Sequence, residues 1–228
     1  YLSSLASYAR GTGSTMMVGI PFRDGPMTFS NSVAGIAPDG RSYRFDKHHL
    51  VPFGEFVPSG FRWFVDMMRI PLGDFTRGAA VQPAFAVKDQ WVLPNVCYED
   101  AFGEEIAAQL REAAQPATIL LNVSNLAWYG ESVAIPQHLQ ISRMRTLETG
   151  RPMLRSTNSG ATAVIDGHGE VTAQLPYYEQ GMLAATVQGM RGSTPYIRFG
   201  NALFLLLGAL ALAGAWISGR NVRKNTQK

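Results

Sequence analysis

Two short stretches of this sequence combine side chains that can do chemistry. In WVLPNVCYEDAFGEEIAAQL an apolar run leads straight into Cys97, and an amphipathic pattern begins two or three residues later. That reads as a buried strand, a sharp turn and a helix. A side chain on such a turn projects from the sheet edge, as nucleophiles do. The N–H groups and positive potential of a helix start would lower the thiol's pKa and could hold an oxyanion. Cys97 is the only cysteine, which excludes an internal disulfide and any multi-cysteine zinc site. A lone cysteine is often an inert buried thiol; the strand-to-helix position is what makes this one a candidate nucleophile.

The second stretch is FDKHHLVPFGEFVP, where Lys47, His48, His49 and Glu55 crowd a segment with two prolines and a glycine. Such a segment could be a solvated loop. Its apolar residues Leu50, Val51, Phe53, Phe56 and Val57 require it to pack instead, and a lysine and a glutamate in a packed turn are expected to be paired or functional. The histidines carry less. His138 opens a helix and His168 sits in a turn; a Cys-His dyad is conceivable, but no metal-ligand spacing appears.

The elements that must position these groups alternate. Thr15–Pro21 is an apolar run suited to a buried strand. Asn31–Ile36 and Ser42–Phe45 flank a Pro38-Asp39-Gly40 turn and read as a hairpin. Gln90–Val96 is a strand ending at Cys97. Phe102, Ile106 and Leu110 form one stripe of a helix. Ala117–Val123 is a buried strand, and His138–Thr149 a helix with Ile141, Met144 and Leu147 on one side. Arg155–Asp166 and Glu170–Leu175 read as strands around a Gly167-His168-Gly169 turn, and Gly181–Val187 as the last strand. The alternation predicts an α/β domain with helices packed on sheet faces.

The composition is apolar, 46% hydrophobic and 16% charged with a net charge of +3. The charged fraction is low for a soluble domain. The basic residues are scattered apart from the C-terminus, which argues against a nucleic-acid partner. The uncharged run Ala202–Ser218 has the length and the Leu/Ala content of a short membrane-spanning helix, with Trp216 where an interfacial aromatic belongs. Arg220, Arg223, Lys224 and Lys228 follow it, so the tail is expected in the cytoplasm and residues 1–195 on the other side. Tyr1 is not a start methionine, no signal peptide is visible, and the opening residues read as the end of a helix leading into a strand. The sequence is therefore expected to begin inside a domain. The segment Phe61–Leu72 (FRWFVDMMRIPL) is either ordinary core or an arm lying on a membrane, where aromatics and methionine meet lipid chains.

Lys47 in KHHLVPFGEFVP, Cys97 in NVCYE and the later SNLAWYG resemble the nitrilase superfamily of Glu-Lys-Cys enzymes. KHHLVPFGEFVP, CYEDAFGE, LRSTNSGATAVIDGHGEV and TPYIRFGN before a final apolar helix resemble in particular its bacterial apolipoprotein N-acyltransferase branch. The resemblance covers nearly the whole chain. It implies an α-β-β-α sandwich over residues 1–195, incomplete at its start, then a linker at 196–201, a transmembrane helix at 202–218 and a basic tail at 219–228. It implies an inner-membrane, multi-pass enzyme with a periplasmic catalytic domain. The implied partners are a phospholipid acyl donor and a diacylglyceryl apolipoprotein acceptor, with no cofactor. The implied catalytic residues are Cys97 as nucleophile, Lys47 as oxyanion stabiliser and Glu55 as a second acid; Tyr98, Glu99 and Trp128 shape the substrate site.

Two departures stand out. The family's general-base glutamate has no counterpart, because residues 1–54 contain no glutamate; these residues alone are therefore expected to be inactive. Leu126 stands where the family commonly has aspartate. Two rival readings share these motifs: a membrane-tethered carbon–nitrogen hydrolase acting on small amides, and a catalytically inactive lipoprotein-binding module.

Overall fold

The computed structural model describes residues 2–26, 28–61, 63, 67 and 75–226, with backbone only for 220–226. Helix α1 (Leu2–Thr12) leads into an antiparallel meander of β1 (Met16–Arg23), β2 (Phe29–Ile36) and β3 (Ser42–Asp46). The β2–β3 turn closes through Ala37 and Gly40, and Gly40 takes a left-handed φ of 91° that suits glycine alone.

A second, six-stranded sheet has the order β4-β5-β6-β7-β8-β9. Its members are β4 (Phe85–Val87), β5 (Gln90–Val96), β6 (Ile119–Ser124), β7 (Met153–Thr157), β8 (Ala163–Ile165) and β9 (Val171–Gln174). The three central strands β5, β6 and β7 are parallel, and the pairs outside them are antiparallel. Parallel neighbours need crossover connections. Helix α2 (Gly103–Glu112) supplies the first and α3 (Ala134–Thr149) the second.

Strand alternation assigns the two faces of the larger sheet. Val92 and Ile119 are register partners and, with Leu121, pack against Met17 of β1. Leu93, Leu120 and Met153 form the next row and face the other way, joining Ile106 and Leu110 of α2 and Ile135 and Leu139 of α3. Each such buried aliphatic side chain contributes about 1.5–3 kcal/mol. The layers are therefore α1, small sheet, large sheet, and α2 with α3.

Several elements depart from expectation, each for a local reason. Arg155–Asp166 is not one strand but two, because the Asn158-Ser159-Gly160 turn folds β8 back on β7. Residues 181–187 form no paired strand; the chain there lies along the sheet's end, with Val187 on the apolar cluster and Met190 N–H donating to Thr118 O at 3.0 Å. Helix α3 starts at Ala134, ahead of His138, since Pro136 falls in its first turn and costs no hydrogen bond there. Ile141, Met144 and Leu147 do share a side of α3, but Met144 and Leu147 face outward, 41% and 52% exposed. The inward side carries Ser142, Arg145, Thr146 and Thr149.

After β9, the short helix α4 (Pro195–Phe199) occupies the expected linker. It is capped by Thr194 and buries Ile197. Helix α5 (Ala202–Thr226) follows, with the apolar span Ala202–Gly219 wholly outside the protein core.

The C-terminal end of β3 depends on Gly78, whose N–H donates to Lys47 O at 2.9 Å and whose missing side chain leaves room for the Asp46 carbonyl. Gly78→Ala forces a Cβ onto that oxygen and is expected to cost about 2–3 kcal/mol in urea unfolding. Gly11→Ala, in open space on α1, should leave stability unchanged or slightly raised.

Candidate active site

The nucleophile candidate stands at the C-terminal end of β5, where open α/β sheets place their ligands. There Cys97 takes a left-handed φ of 52° and opens a 3₁₀ turn, Cys97–Ala101, before α2 begins at Gly103. A non-glycine residue held in that region is strained by roughly 1–3 kcal/mol and persists only when its surroundings enforce it. The Cys97 carbonyl accepts a hydrogen bond from Asn122 Nδ2 at 3.2 Å. The thiol itself is partly buried. Burial pushes its pKa up; the Lys47 charge opposes this, while Asp100 and Glu55 add to it. The lowering expected of a helix start does not prevail: the Tyr98 N–H acts in that direction, but burial outweighs it.

Lys47 follows β3 at the end of the other sheet and is 1% exposed. Its Nζ lies 2.7 Å from Glu55 Oε2. Glu55 is fixed in turn by Asn31 Nδ2 at 2.7 Å and by the Val51 N–H at 2.8 Å. The packed turn expected from FDKHHLVPFGEFVP is present, and Phe53 within it has a positive φ of 58°.

Glu99 joins the two sheets at this point. One carboxylate oxygen accepts from Val96 N–H at 2.7 Å, and the other from the N–H groups of His48 at 2.7 Å and His49 at 3.1 Å. Burial raises its pKa, against the pull of those three donors. Beside the substrate-site role that the resemblance implies, Glu99 thus has a different set of contacts, all to the backbone of this chain. Tyr98 packs edge-on against His49 and Phe102, whose rings stack 3.5 Å apart. Trp128, on the 3₁₀ turn Ala127–Tyr129, is 85% exposed and in none of these contacts. Leu126 is fully buried in the main core, so the side chain that departs from the family pattern does packing there. Of Phe61–Leu72, Phe61, Trp63 and Met67 are described and exposed; the rest lies outside the described residues. Among the described residues no group of His, Cys, Asp and Glu could hold a metal ion.

Sequence reasoning missed a buried polar layer behind Cys97. Asn95, Asn122 and Arg155 are register partners on β5, β6 and β7, on the helix-facing side. Asn122 Nδ2 donates to Asn95 Oδ1 at 2.6 Å. Asp100, wholly buried, accepts from Ser142 Oγ at 2.5 Å and Arg155 Nη1 at 3.1 Å. The available signal was a polar residue next to an apolar run in each of three strands: Asn95 in PNV, Asn122 in LLNV and Arg155 in LRS.

Residues 1–196 match the carbon–nitrogen hydrolase family. The chain is 56% identical over 213 residues to a protein of Ralstonia nicotianae named apolipoprotein N-acyltransferase, covering 93% of this chain and 41% of that protein. It is 48% identical over 228 residues to one of the same name from Nitrosomonas europaea, covering 96% and 44%. It thus spans about two fifths of the length of these relatives. Among solved structures it is similar to an amidase from Nesterenkonia sp., with a TM-score of 0.60 and 19% identity over 78% of this chain and 63% of that one. It is also similar to a carbon–nitrogen hydrolase from Helicobacter pylori, with a TM-score of 0.60 and 15% identity over 78% and 64%. The fold is nitrilase-like.

Glu99→Gln should be costly. A glutamine replaces one acceptor oxygen with an NH2 group that meets N–H donors, which leaves buried groups unsatisfied at about 1–3 kcal/mol. In urea unfolding of the complete protein Glu99→Gln should lose about that much, whereas exposed Glu104→Gln should change stability by under about 0.5 kcal/mol. Equal stability of the two variants would remove Glu99 from its joining role.

Proposed function

The chain belongs to the carbon–nitrogen hydrolase family, and we propose that it carries the nucleophile and lysine of an apolipoprotein N-acyltransferase. The observation that carries this reading is the identity of up to 56% along nearly the whole chain with proteins of that name. Helix α5 supports it, because an enzyme with a phospholipid substrate needs a membrane anchor and α5 exposes its apolar span. Exposed Phe61, Trp63 and Met67 support a membrane-facing arm in the segment they belong to.

The proposed reaction has two halves. The Cys97 thiol loses its proton and attacks the ester carbonyl of a phospholipid. The oxyanion that forms is stabilised by Lys47, which Glu55 holds in place. The carbon–oxygen bond breaks, the lysophospholipid leaves with a proton, and a thioester remains. The α-amino group of a diacylglyceryl-cysteine apolipoprotein then attacks the thioester. An amide forms and the thiol is restored. Water must stay out, or the thioester is hydrolysed to fatty acid. The base that receives the thiol proton is proposed to be a glutamate outside these 228 residues. The proposed setting is the bacterial inner membrane, with Arg220, Arg223, Lys224 and Lys228 on the cytoplasmic side and Cys97 on the periplasmic side.

Incubating the complete protein with phospholipid should give a hydroxylamine-labile acyl mass on the Cys97 peptide. Full transferase activity in Cys97→Ser would sink the assignment. Lys47→Met should lower the acylation rate about a hundred- to a thousandfold, the loss typical of one oriented oxyanion donor. A loss below about fivefold, roughly 1 kcal/mol, would make Lys47 structural only.

A further inference from the structure

The polar cluster beneath the nucleophile turn has no part in the proposed chemistry, yet it grips the turn from two elements. Asp100 lies within the 3₁₀ turn that Cys97 opens. Its carboxylate meets Ser142 of α3 and Arg155 of β7, and its carbonyl accepts from Arg145 Nη1 at 3.2 Å. Arg155 also donates to the Ala161 carbonyl at 3.2 Å, which fixes the plane of its guanidinium.

His138 is the remaining member, and its chemistry is constrained. Arg155 Nη2 lies 2.8 Å from His138 Nδ1. A guanidinium only donates, so Nδ1 must accept, and the single proton of a neutral ring is on Nε2. Protonating the ring would bury a second cation against Arg155; burial first, and that charge second, push its pKa down to about 4. The ring therefore stays a neutral donor at ordinary pH. Nε2 faces Asp100 Oδ1 at 3.3 Å, close enough to pair but out of line for a hydrogen bond. The backbone carbonyl of Cys97 also acts on the ring, favouring its proton. With Nδ1 committed to Arg155, Nε2 is the ring atom left for these two neighbours; it lies 3.3 Å from Asp100 Oδ1 and makes no hydrogen bond in this geometry.

We propose that His138 is a positioning residue for Cys97: its neutral ring, fixed as the Nε2–H tautomer by Arg155, holds Asp100 and the Cys97 peptide so that the left-handed turn keeps the thiol buried and aimed. The proposal rests on Cys97 being the nucleophile, which the preceding reading supplies. Loss of the ring frees the turn, and the thiol moves toward solvent.

The test is the pH profile of Cys97 alkylation by iodoacetamide in the complete protein, followed by mass on the Cys97 peptide. This reads the thiol's setting whether or not acyl transfer occurs. In wild type the midpoint should lie above the free-thiol value of about 8.5. His138→Ala should bring it down to that value and lower kcat for acylation at least tenfold, with KM for phospholipid changed less than twofold. His138→Gln, which can accept from Arg155 and donate with its amide, should keep the wild-type midpoint. An unchanged midpoint in His138→Ala, or a Gln variant as perturbed as the Ala variant, overturns the proposal. If the Ala variant does not fold, 15N-histidine NMR of the wild type decides: His138, identified by its loss in the Gln variant, should show the Nε2–H tautomer without titrating above pH 5. An Nδ1–H tautomer, or titration near neutrality, refutes it. A wild-type protein that shows these thiol properties but transfers no acyl group would refute the acyltransferase reading and leave His138's role standing.

Discussion

A carboxylate taken out of water must be given hydrogen bonds, and Glu99 finds its donors on β5 of one sheet and on the bend that leaves β3 of the other. Val96 belongs to the strand that delivers Cys97; His48 and His49 follow directly on Lys47. The same carboxyl group therefore fixes the distance between the end of β5 and the end of β3. Hydrophobic packing between the sheets, as of Met17 on Val92 and Ile119, brings the layers together but is indifferent to sliding. Three directional bonds to one residue are not. Lys47 is then held from its own side by Glu55, and Glu55 by Asn31 and the Val51 N–H.

The layer behind Cys97 follows a related logic at a different cost. Rows of Leu and Met give way, one step toward the strand ends, to Asn95, Asn122 and Arg155. Buried polar groups of this kind are weak evidence for stability and better evidence for a specific arrangement. Their protonation equilibria also offset. Burial raises Asp100 to about 6, so its contribution to stability is full below its unfolded value of 3.8 and is lost as pH rises through about 6. His138 is depressed from 6.5 to about 4, so its contribution is full above 6.5 and is lost as pH falls through about 4. Between about 4 and 6 the unfolded chain holds a proton on the histidine and the folded chain holds one on the aspartate, so the number bound barely changes and the cluster adds little pH dependence.

These two arrangements differ in how legible they were. β5 and its exit at Cys97 could be read to the residue, since an apolar run bounded by polar groups and followed by a helical stripe has few alternatives. The Lys47–Glu55 turn was legible because apolar residues among prolines have to pack somewhere. Helix α3 was not: its periodicity shows that Ile141, Met144 and Leu147 share a side, but which side turns inward was decided by Asp100 and Arg155, distant in sequence. The break between β7 and β8 was written in Asn158-Ser159-Gly160 and lost within the reading of Arg155–Asp166 as one strand. His138 was legible only as a conceivable dyad partner of the cysteine, because its actual neighbours are an arginine and an aspartate from separate elements, a juxtaposition that no local pattern encodes.

Helix α3 also has business at its other end. Its last carbonyls receive Thr194 Oγ1, at Glu148 O, and Arg151 Nη1, at Thr149 O, where a cation suits the negative end of a helix. Arg151 reaches on to Gly192 O at 2.6 Å, and Arg111 of α2 holds Ile197 O at 3.1 Å. The chain between the sheet and α5 is thus bonded to the helices that flank the nucleophile turn, with Ile197 buried between them. In the proposed acyltransferase, a flexible tether would let the catalytic domain tumble above its anchor and meet a lipid ester at any angle. A docked one removes that freedom before substrate arrives, which is how positioning lowers the barrier of a reaction between two bound partners. In the proposed enzyme one helix serves both demands: its first half steadies the thiol, and its last turn steadies the route to the apolar helix.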